Sequence, residues 1–287
     1  MQNCKTKILL AGLCAAVWLG CLPASAPRVL ASVEPSSLAE KDRRILEQLL
    51  AEAQHQPNLA ARMKLVSARL LGQPYLLHPL IGSVTEPEQF VARLDGFDCV
   101  TFLETVLAVS GATTLDGFLN RLRTIRYANG AVSYATRLHY TTDWHAAHVR
   151  DGLLQDLTQG PLTAERAKVL KAVPGSPPRN VNVRYFPKTR LAEISPSLQD
   201  GDLIYFVAGR NWLDTNHVGM LFRIDGQLRI RHASHRLGGV VEQPLTEYFA
   251  ANEMIGFIVA RPLESNYRFQ EKENHGEHGE ESWQKDQ

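Results

Sequence analysis

The sequence predicts an α+β fold in which N-terminal helices pack on an antiparallel β-sheet. In the first half of the chain, apolar residues recur three and four positions apart, as in amphipathic helices. In the second half, short apolar runs are separated by tight-turn dipeptides. Helices come first and strands second, which favours α+β over an alternating α/β fold. A chain of 287 residues with 44% hydrophobic residues is long enough to bury a sizeable core.

The first 31 residues have the layout of a secretory signal peptide. Two lysines precede an apolar stretch (residues 8–22), and small residues follow it. We expect cleavage after Ala31, because Pro27 disfavours the competing site after Ala26. The apolar stretch is shorter than the ~20 residues of a membrane span. The prediction is therefore an exported protein of the periplasm or cell envelope, with no transmembrane span in the mature chain.

Removal of the signal segment leaves Cys99 as the one cysteine of the mature chain. Cys4, Cys14 and Cys21 all precede the cleavage site. A lipid anchor on Cys21 is disfavoured, because Trp18 stands where lipoprotein signals have a small aliphatic residue. Cys99 then has no partner for an intramolecular disulfide, although an exported compartment permits one. It is either a buried small hydrophobe or a nucleophile.

Four helices are predicted in the first half, each opened by a side chain that can accept hydrogen bonds from free helix-start amides. The capping residues are Ser37 (with Glu40 as its capping-box partner), Asn58, Asp98 and Thr114. The third helix runs from Cys99 to Val109, and Gly111 ends it.

The second half predicts strands. They span residues 202–208, 217–224, 227–234 and 254–262. Two dipeptides, Asn129-Gly130 and Asp225-Gly226, predict tight hairpin turns. The proline-rich, polar stretch from 173 to 184 predicts a loop.

The C-terminal residues and the net charge carry two further predictions. Residues 266–287 are polar and charged, which predicts a disordered tail and leaves 32–265 as a single domain. The formal net charge of +1 gives no basic surplus, so no nucleic-acid partner is expected.

Cys99 is predicted at the first position of its helix. There the unpaired amide N–H groups and the positive end of the helix dipole favour a thiolate. The neighbouring Asp98 acts in the opposite direction, because a carboxylate disfavours a second negative charge. The sequence leaves this balance open.

The hairpin around Asp225-Gly226 supplies two further candidate site residues. A two-residue turn there pairs Gly219 with His232 and His217 with Ser234. His217 and His232 then share a sheet face as diagonal neighbours, ~7–8 Å apart at the backbone. The alternative for each is a satisfied sheet histidine, and a one-residue slip in register would separate the two.

These motifs resemble a known family. "GFDCVTF", "NHVGMLF" and "RHAS", in that order, resemble the NlpC-type cell-wall cysteine peptidases, whose fold is a circularly permuted papain-like core. "LGQPY" (71–75) resembles the family's element upstream of the cysteine. The N-acetylmuramoyl-L-alanine amidase-like branch is closer still. Its D-C-x-T-F-x-E and R-x-H-Y-x-x-D-W patterns are matched by Asp98, Cys99, Thr101, Phe102 and Glu104, and by Arg137, His139, Tyr140, Asp143 and Trp144.

The resemblance covers residues 58 to 262 and implies a single catalytic domain with a role for each motif residue. It implies Cys99 as nucleophile, His217 as acid/base and His232 as the orienting residue. Tyr75, with the backbone N–H of Cys99, would stabilise the oxyanion, and Asp98 would support the site. The second motif would bind substrate, with Tyr140 and Trp144 on a sugar face and Arg137 on a stem carboxylate. For these three, the alternative is core packing or a surface ion pair.

The implied substrate is a soluble peptidoglycan fragment, an anhydro-muropeptide, cut between N-acetylmuramic acid and L-alanine, with no cofactor or metal. The broader family more often cuts between D-glutamate and diaminopimelate. A zinc amidase would draw on His139, His145, His148, His217 and Asp143, but no tight ligand spacing supports it. A non-catalytic wall-binding module is the third alternative.

Overall fold

The computed structural model describes residues 38–267. The helices are α1 (Glu40–Gln54), α2 (Leu59–Arg69), α3 (Cys99–Ser110), α4 (Leu115–Arg126), α5 (Thr141–Arg150), α6 (Leu191–Ile194), α7 (Leu245–Ala251) and α8 (Glu264–Tyr267). The strands are β1 (Leu154–Asp156), β2 (Ala164–Leu170), β3 (Arg179–Pro187), β4 (Leu203–Val207), β5 (Thr215–Ile224), β6 (Gln227–Ser234), β7 (Gly239–Pro244) and β8 (Gly256–Pro262).

The eight strands form one sheet. Their order is β2-β3-β8-β4-β5-β6-β7, with β1 also on β8, and every pairing is antiparallel. Helices and an antiparallel sheet in one chain confirm the predicted α+β class. Between β5 and β6 the pairs run from Ile224↔Gln227 to Met220↔Arg231, which is the register set by the predicted Asp225-Gly226 turn.

The sheet buries side chains on both faces. Alternate residues of each strand point to opposite sides, so β4 and β5 contribute to two separate cores. Phe102 of α3 lies in the first core with Met220 of β5. Phe206 of β4 lies in the second, together with Tyr248 and Phe249 of α7.

The predicted caps of three helices form. Asn58 accepts a hydrogen bond from Ala61 N (2.9 Å), and Thr114 accepts one from Gly117 N (3.0 Å); Asp98 is considered with the site below. For α1 the cap residue is Ala39, which makes no side-chain cap, and the predicted Ser37 lies outside the described residues. The signal peptide, Cys21 and residues 268–287 of the predicted tail also lie outside them.

Two local predictions are wrong. Asn129-Gly130 does not turn a hairpin: α4 continues to Arg126, Asn129 sits in a short 3-10 turn at φ 55°, and a single bridge joins Tyr127 to Arg137. The last part of the predicted loop from 173 to 184 belongs to β3. This strand pairs with β2 from Arg179 to Tyr185. Within residues 38–267, no helix has the length and apolar character needed to cross a bilayer.

The loop between β4 and β5 is fixed from two sides. Lys168 of β2 is buried, and its ammonium donates to the carbonyls of Ala208, Arg210 and Leu213 at 2.6, 2.8 and 2.9 Å. Asp214, also buried, accepts from the N–H and hydroxyl of Thr142 at the start of α5. The residues directly before β5 therefore have little freedom.

Replacing Lys168 with Met tests this loop anchor. The side chain keeps its length but leaves three carbonyls without their donor, so we expect the free energy of unfolding to fall by about 3 kcal/mol. Urea denaturation measures the change. The exposed Lys171→Met on the same segment is the matched control and should stay near wild type. Equal stability of the two variants would contradict the anchoring role.

Candidate active site

The start of α3 is held by a reciprocal capping box. Asp98 Oδ1 accepts from Thr101 N at 2.7 Å, while the Thr101 hydroxyl accepts from Asp98 N at 3.1 Å. The hydroxyl also donates to Asp98 Oδ1 at 2.8 Å. These bonds fix the backbone on both sides of Cys99, so the position of its sulfur is set by the helix cap.

Cys99 is a partly buried free thiol held close to β5. The N–H groups of Val218, Cys99 and Val100 face its sulfur and favour the thiolate. Burial, followed by the charge of Asp98, outweighs them and raises the pKa of the Cys99 thiol to about 12. The balance left open by the sequence therefore favours a neutral thiol.

Three polar side chains form a diagonal row across β5, β6 and β7. His217 Nε2 lies 2.6 Å from His232 Nδ1, with the two rings nearly perpendicular. The side-chain amide of Gln243 lies 2.8 Å from His232 Nε2. His232 pairs with Val241, so Gln243 is its diagonal neighbour on the next strand. Both nitrogens of His232 are thus engaged, and His217 keeps one ring nitrogen, Nδ1, outside the row.

Both imidazoles in this row are held neutral. Burial, with the nearby His232, lowers the pKa of His217 to about 3. Burial, with the charge of Arg236, lowers the pKa of His232 to about 4. Near neutral pH the site therefore contains a neutral thiol and two neutral imidazoles.

Aromatic rings enclose the histidines. Tyr248 of α7 lies parallel to the His217 ring (5.8 Å between centroids) and edge-on to His232 (5.2 Å). Phe206 stacks on His217, with 6.2 Å between ring centroids, and is tilted against Tyr248, with 4.4 Å between centroids. This apolar enclosure is the physical cause of the lowered histidine pKa values.

Tyr75 is the other aromatic residue near the thiol. Its backbone N–H donates to Gly238 O at 2.9 Å, and the residue forms a parallel bridge with Phe97, just before the cap of α3. Burial and the nearby Cys99 raise the pKa of its hydroxyl to about 12. The phenol therefore stays protonated and can donate a hydrogen bond.

Two cavities adjoin this cluster. One, of about 370 Å³, is lined by His217, His232, Gln243 and Tyr248, among others. The other, of about 460 Å³, begins at Asp98 and Val100 and extends to Arg137 and His139. The two histidines thus line one cavity, and the residues on either side of Cys99 line the other.

A sequence model described as N-acetylmuramoyl-L-alanine amidase-like matches residues 65–257, which contain every residue of this cluster. The chain belongs to the N-acetylmuramoyl-L-alanine amidase-like family. Membership indicates an amidase acting on peptidoglycan. No curated protein matches the chain.

The chain is also similar to solved structures. A crystal structure of an N-acetylmuramoyl-L-alanine amidase from Bacteroides uniformis is 30% identical, with a TM-score of 0.60 over 68% of this chain and 96% of that one. A Legionella pneumophila protein, at 24% identity and a TM-score of 0.69, covers 78% of this chain and 95% of its own, and shares the fold. A Bacteroides fragilis protein provisionally named a xylanase is 28% identical, with a TM-score of 0.59 over 68% and 98%.

The structure separates the predicted substrate-binding residues of this amidase-like chain into two groups. His139 lines the 460 Å³ cavity, where its ring contacts the Tyr134 carbonyl at 2.8 Å. Arg137 lines the same cavity, but its guanidinium is bound to Glu88 (3.1 Å) and to the Gly82 carbonyl. It is therefore already paired, as in the ion-pair alternative.

The remaining three side chains are engaged within the protein, two through burial and one through an ion pair. Trp144 is 2% exposed and packs against His148 and Tyr205 in the core, so it offers no ring face to a sugar. Tyr140 is also buried, and its hydroxyl accepts from the N–H groups of Ala172 and Val173. Asp143 is bound to Arg179 on the surface. Their motif thus fixes local packing.

The zinc alternative finds no ligand set in the described chain. Between residues 38 and 267, no three His, Cys, Asp or Glu side chains converge at metal-binding geometry. His148 Nε2, for example, contacts the Ile125 carbonyl at 2.9 Å, deep in the core.

Gln243 and Tyr248 are site residues that the sequence did not predict. The stretch "GVVEQP", after a four-residue turn, is a weak signal for β7, and the two-residue period of a strand places Gln243 on the face of Val241. Tyr248 had no comparable signal, because α7 is only seven residues long.

The raised thiol pKa predicts the pH dependence of alkylation. Only the thiolate reacts with iodoacetamide, so the rate at Cys99 should rise about tenfold per pH unit from 7 to 10 without levelling off. Mass spectrometry of the Cys99 peptide gives the rate. In urea, where the thiol is solvated, the rate should level off above pH 9. A plateau already present from pH 5 to 8 in the folded protein would reveal a thiolate–imidazolium pair and contradict this assignment.

Proposed function

We propose that the chain is a cysteine-dependent amidase that hydrolyses the amide between N-acetylmuramic acid and L-alanine of the stem peptide, with anhydro-muropeptides as substrates. In this proposal Cys99 is the nucleophile, His217 the acid/base and His232 the orienting residue. The domain would be an NlpC-type permuted papain-like core. The observation that carries the proposal is the hydrogen-bonded His217–His232 pair, with the next backbone N–H, that of Val218, facing the Cys99 sulfur.

The neutral resting state determines the order of proton transfers. The Cys99 sulfur attacks the carbonyl carbon as its proton passes to His217 Nδ1, the ring nitrogen outside the row. The imidazolium then donates that proton to the departing amine as the carbon–nitrogen bond breaks. Water attacks the resulting thioester and gives a proton to His217; the carbon–sulfur bond breaks, the acid leaves, and His217 passes the proton to the Cys99 thiolate.

This order of proton transfers requires one particular tautomer of His217 and one of His232. His217 must carry its proton on Nε2 and donate to His232 Nδ1, so that Nδ1 of His217 is free to accept. His232 must then carry its proton on Nε2 and donate to Gln243. A half-turn of the Gln243 amide, which exchanges its nitrogen and oxygen with almost no change of shape, supplies that acceptor at the 2.8 Å contact.

Two donors are available for the oxyanion. The backbone N–H of Cys99 is at the start of α3, where no preceding turn accepts it, and the Tyr75 phenol stays protonated beside the thiol. Asp98 contributes by holding the helix start. His139, in the 460 Å³ cavity, contacts the acyl half of the substrate.

The proposal includes export. The signal-like N-terminus and the single thiol of the mature chain fit an oxidising periplasm or cell envelope, where a second cysteine would allow a disulfide to block the nucleophile.

Replacing Cys99 with Ala should reduce release of stem peptide to background, because no other group can form the thioester. Mass spectrometry of products from defined muropeptides, with and without the anhydro sugar, identifies the bond. Free L-Ala-terminated peptide and the anhydro sugar are expected; a fragment ending at D-glutamate would instead identify the endopeptidase activity.

The matched control is Val169→Ala, at an exposed position of β2 outside this cluster, which should leave activity unchanged. Unaltered circular dichroism and thermal unfolding show that the Cys99→Ala protein is folded. Full activity in that variant, or inhibition by a chelator with resistance to iodoacetamide, would overturn the cysteine mechanism. Binding to sacculi by wild type without any product would favour a wall-binding module.

Gln243 variants test the tautomer. Gln243→Met keeps the shape but offers no acceptor, so kcat should fall roughly 10- to 100-fold with little change in KM. Gln243→Glu keeps an acceptor and should retain most activity, with the acidic limb of the pH profile moved to higher pH by the added carboxylate. Equal losses in the two variants, without that move, would indicate a packing role only.

A further inference from the structure

The chemistry of amide cleavage distinguishes the two cavities beside Cys99. The departing amine receives its proton from His217, so it must lie within hydrogen-bond reach of that ring. His217 lines the 370 Å³ cavity and is absent from the lining of the 460 Å³ cavity. The amine-bearing half of the substrate therefore occupies the first cavity, and the acyl half occupies the second.

The cavity on the His217 side contains a cation. Arg236 lies in the four-residue turn between β6 and β7, is exposed, and lines this cavity together with His217 and His232. Its charge acts on His232 and Tyr248, which line the same cavity. In the described part of the chain, no acidic side chain lies at ion-pair distance from it.

The turn that carries Arg236 is fixed. Ser234 Oγ accepts from Leu237 N at 3.2 Å, and Gly238 O accepts from Tyr75 N at 2.9 Å. The His235 ring packs edge-on against Tyr75, 5.1 Å between centroids. The backbone of Arg236 is thus tied to the residue predicted to bind the oxyanion, and its position relative to the reacting carbonyl is defined.

Arg137 and Arg236 differ in what they can bind. Arg137 is largely buried, and its guanidinium forms an ion pair with Glu88. Arg236 keeps its five N–H donors available at the cavity surface, in the planar arrangement that binds a carboxylate through two parallel hydrogen bonds. The single acidic residue of this lining, Glu253, also lines the neighbouring 570 Å³ cavity with Asn216, at the boundary between the two.

We propose that the 370 Å³ cavity is the leaving-group subsite and that Arg236 binds a free carboxylate of the departing stem peptide. This inference rests on the proposed amidase function. In a stem peptide that continues through the side chain of D-glutamate, the α-carboxylate of that second residue is free and close to the departing L-alanine amine. Arg236 is then a specificity-determining residue that selects the carboxylate over its neutral amide.

Two substrates that differ in one group test the proposal. One muropeptide carries D-glutamate and the other carries its α-amide. Wild type should cleave the acid with about 10- to 100-fold higher kcat/KM. Arg236→Gln should lose this preference by slowing on the acid alone, and Arg236→Lys should recover part of it. Arg44→Gln, on the exposed surface of α1, is the matched control and should behave as wild type.

Arg210 lines the neighbouring cavity and supplies the competing location. Loss of preference in Arg210→Gln but not in Arg236→Gln would overturn the assignment, as would a wild type that cleaves both substrates equally.

Binding separates this inference from the proposed function. Titration calorimetry of the Cys99→Ala protein with the free stem tripeptide should show binding that Arg236→Gln weakens about 10-fold or more. Arg236-dependent binding without cleavage by wild type would refute the amidase proposal and leave the subsite standing. Cleavage by wild type with binding unaffected by Arg236→Gln would refute the subsite alone.

Discussion

The contact between His217 and His232 is the interaction on which the rest of the site depends. Two imidazoles whose nitrogens lie 2.6 Å apart can form a hydrogen bond only if at least one of them is neutral, and burial beneath aromatic rings lowers the pKa of both. The row spans three neighbouring strands, so its geometry follows from the register of a single sheet. A one-residue slip on either side of β6 would turn one partner to the opposite face.

The start of α3 sets the complementary constraint. The same carboxylate that closes the capping box around Cys99 also opposes the negative charge that a thiolate would bring. The carboxylate that fixes the position of Cys99 therefore also helps to keep its thiol protonated in the resting state. In the proposed mechanism the proton moves only when a carbonyl is present, and a neutral thiol is also the form that reacts slowly with oxidants.

The sequence predicted features that are encoded locally. The Asp98 cap and the Asp225-Gly226 turn each need only a few adjacent residues, and both formed as expected. Asn129-Gly130 has the same local signal, but α4 extends to Arg126 and includes residues that the first strand of that hairpin would need. β2 reads as a helix former, "AERAKVL", and becomes a strand because β3 pairs with it. Likewise, the sequence motif around Trp144 does not reveal that the indole faces the core rather than a ligand.

The buried ammonium of Lys168 is a cation that is not available to a ligand. All three of its protons are bound by backbone carbonyls of the loop before β5, so this cation has no donor left for a substrate. Arg137, beside the other cavity, is likewise matched by Glu88. Both cations are thus engaged within the protein. Under the proposed function, the positive charge that a stem peptide would meet in the 370 Å³ cavity comes from the β6–β7 turn.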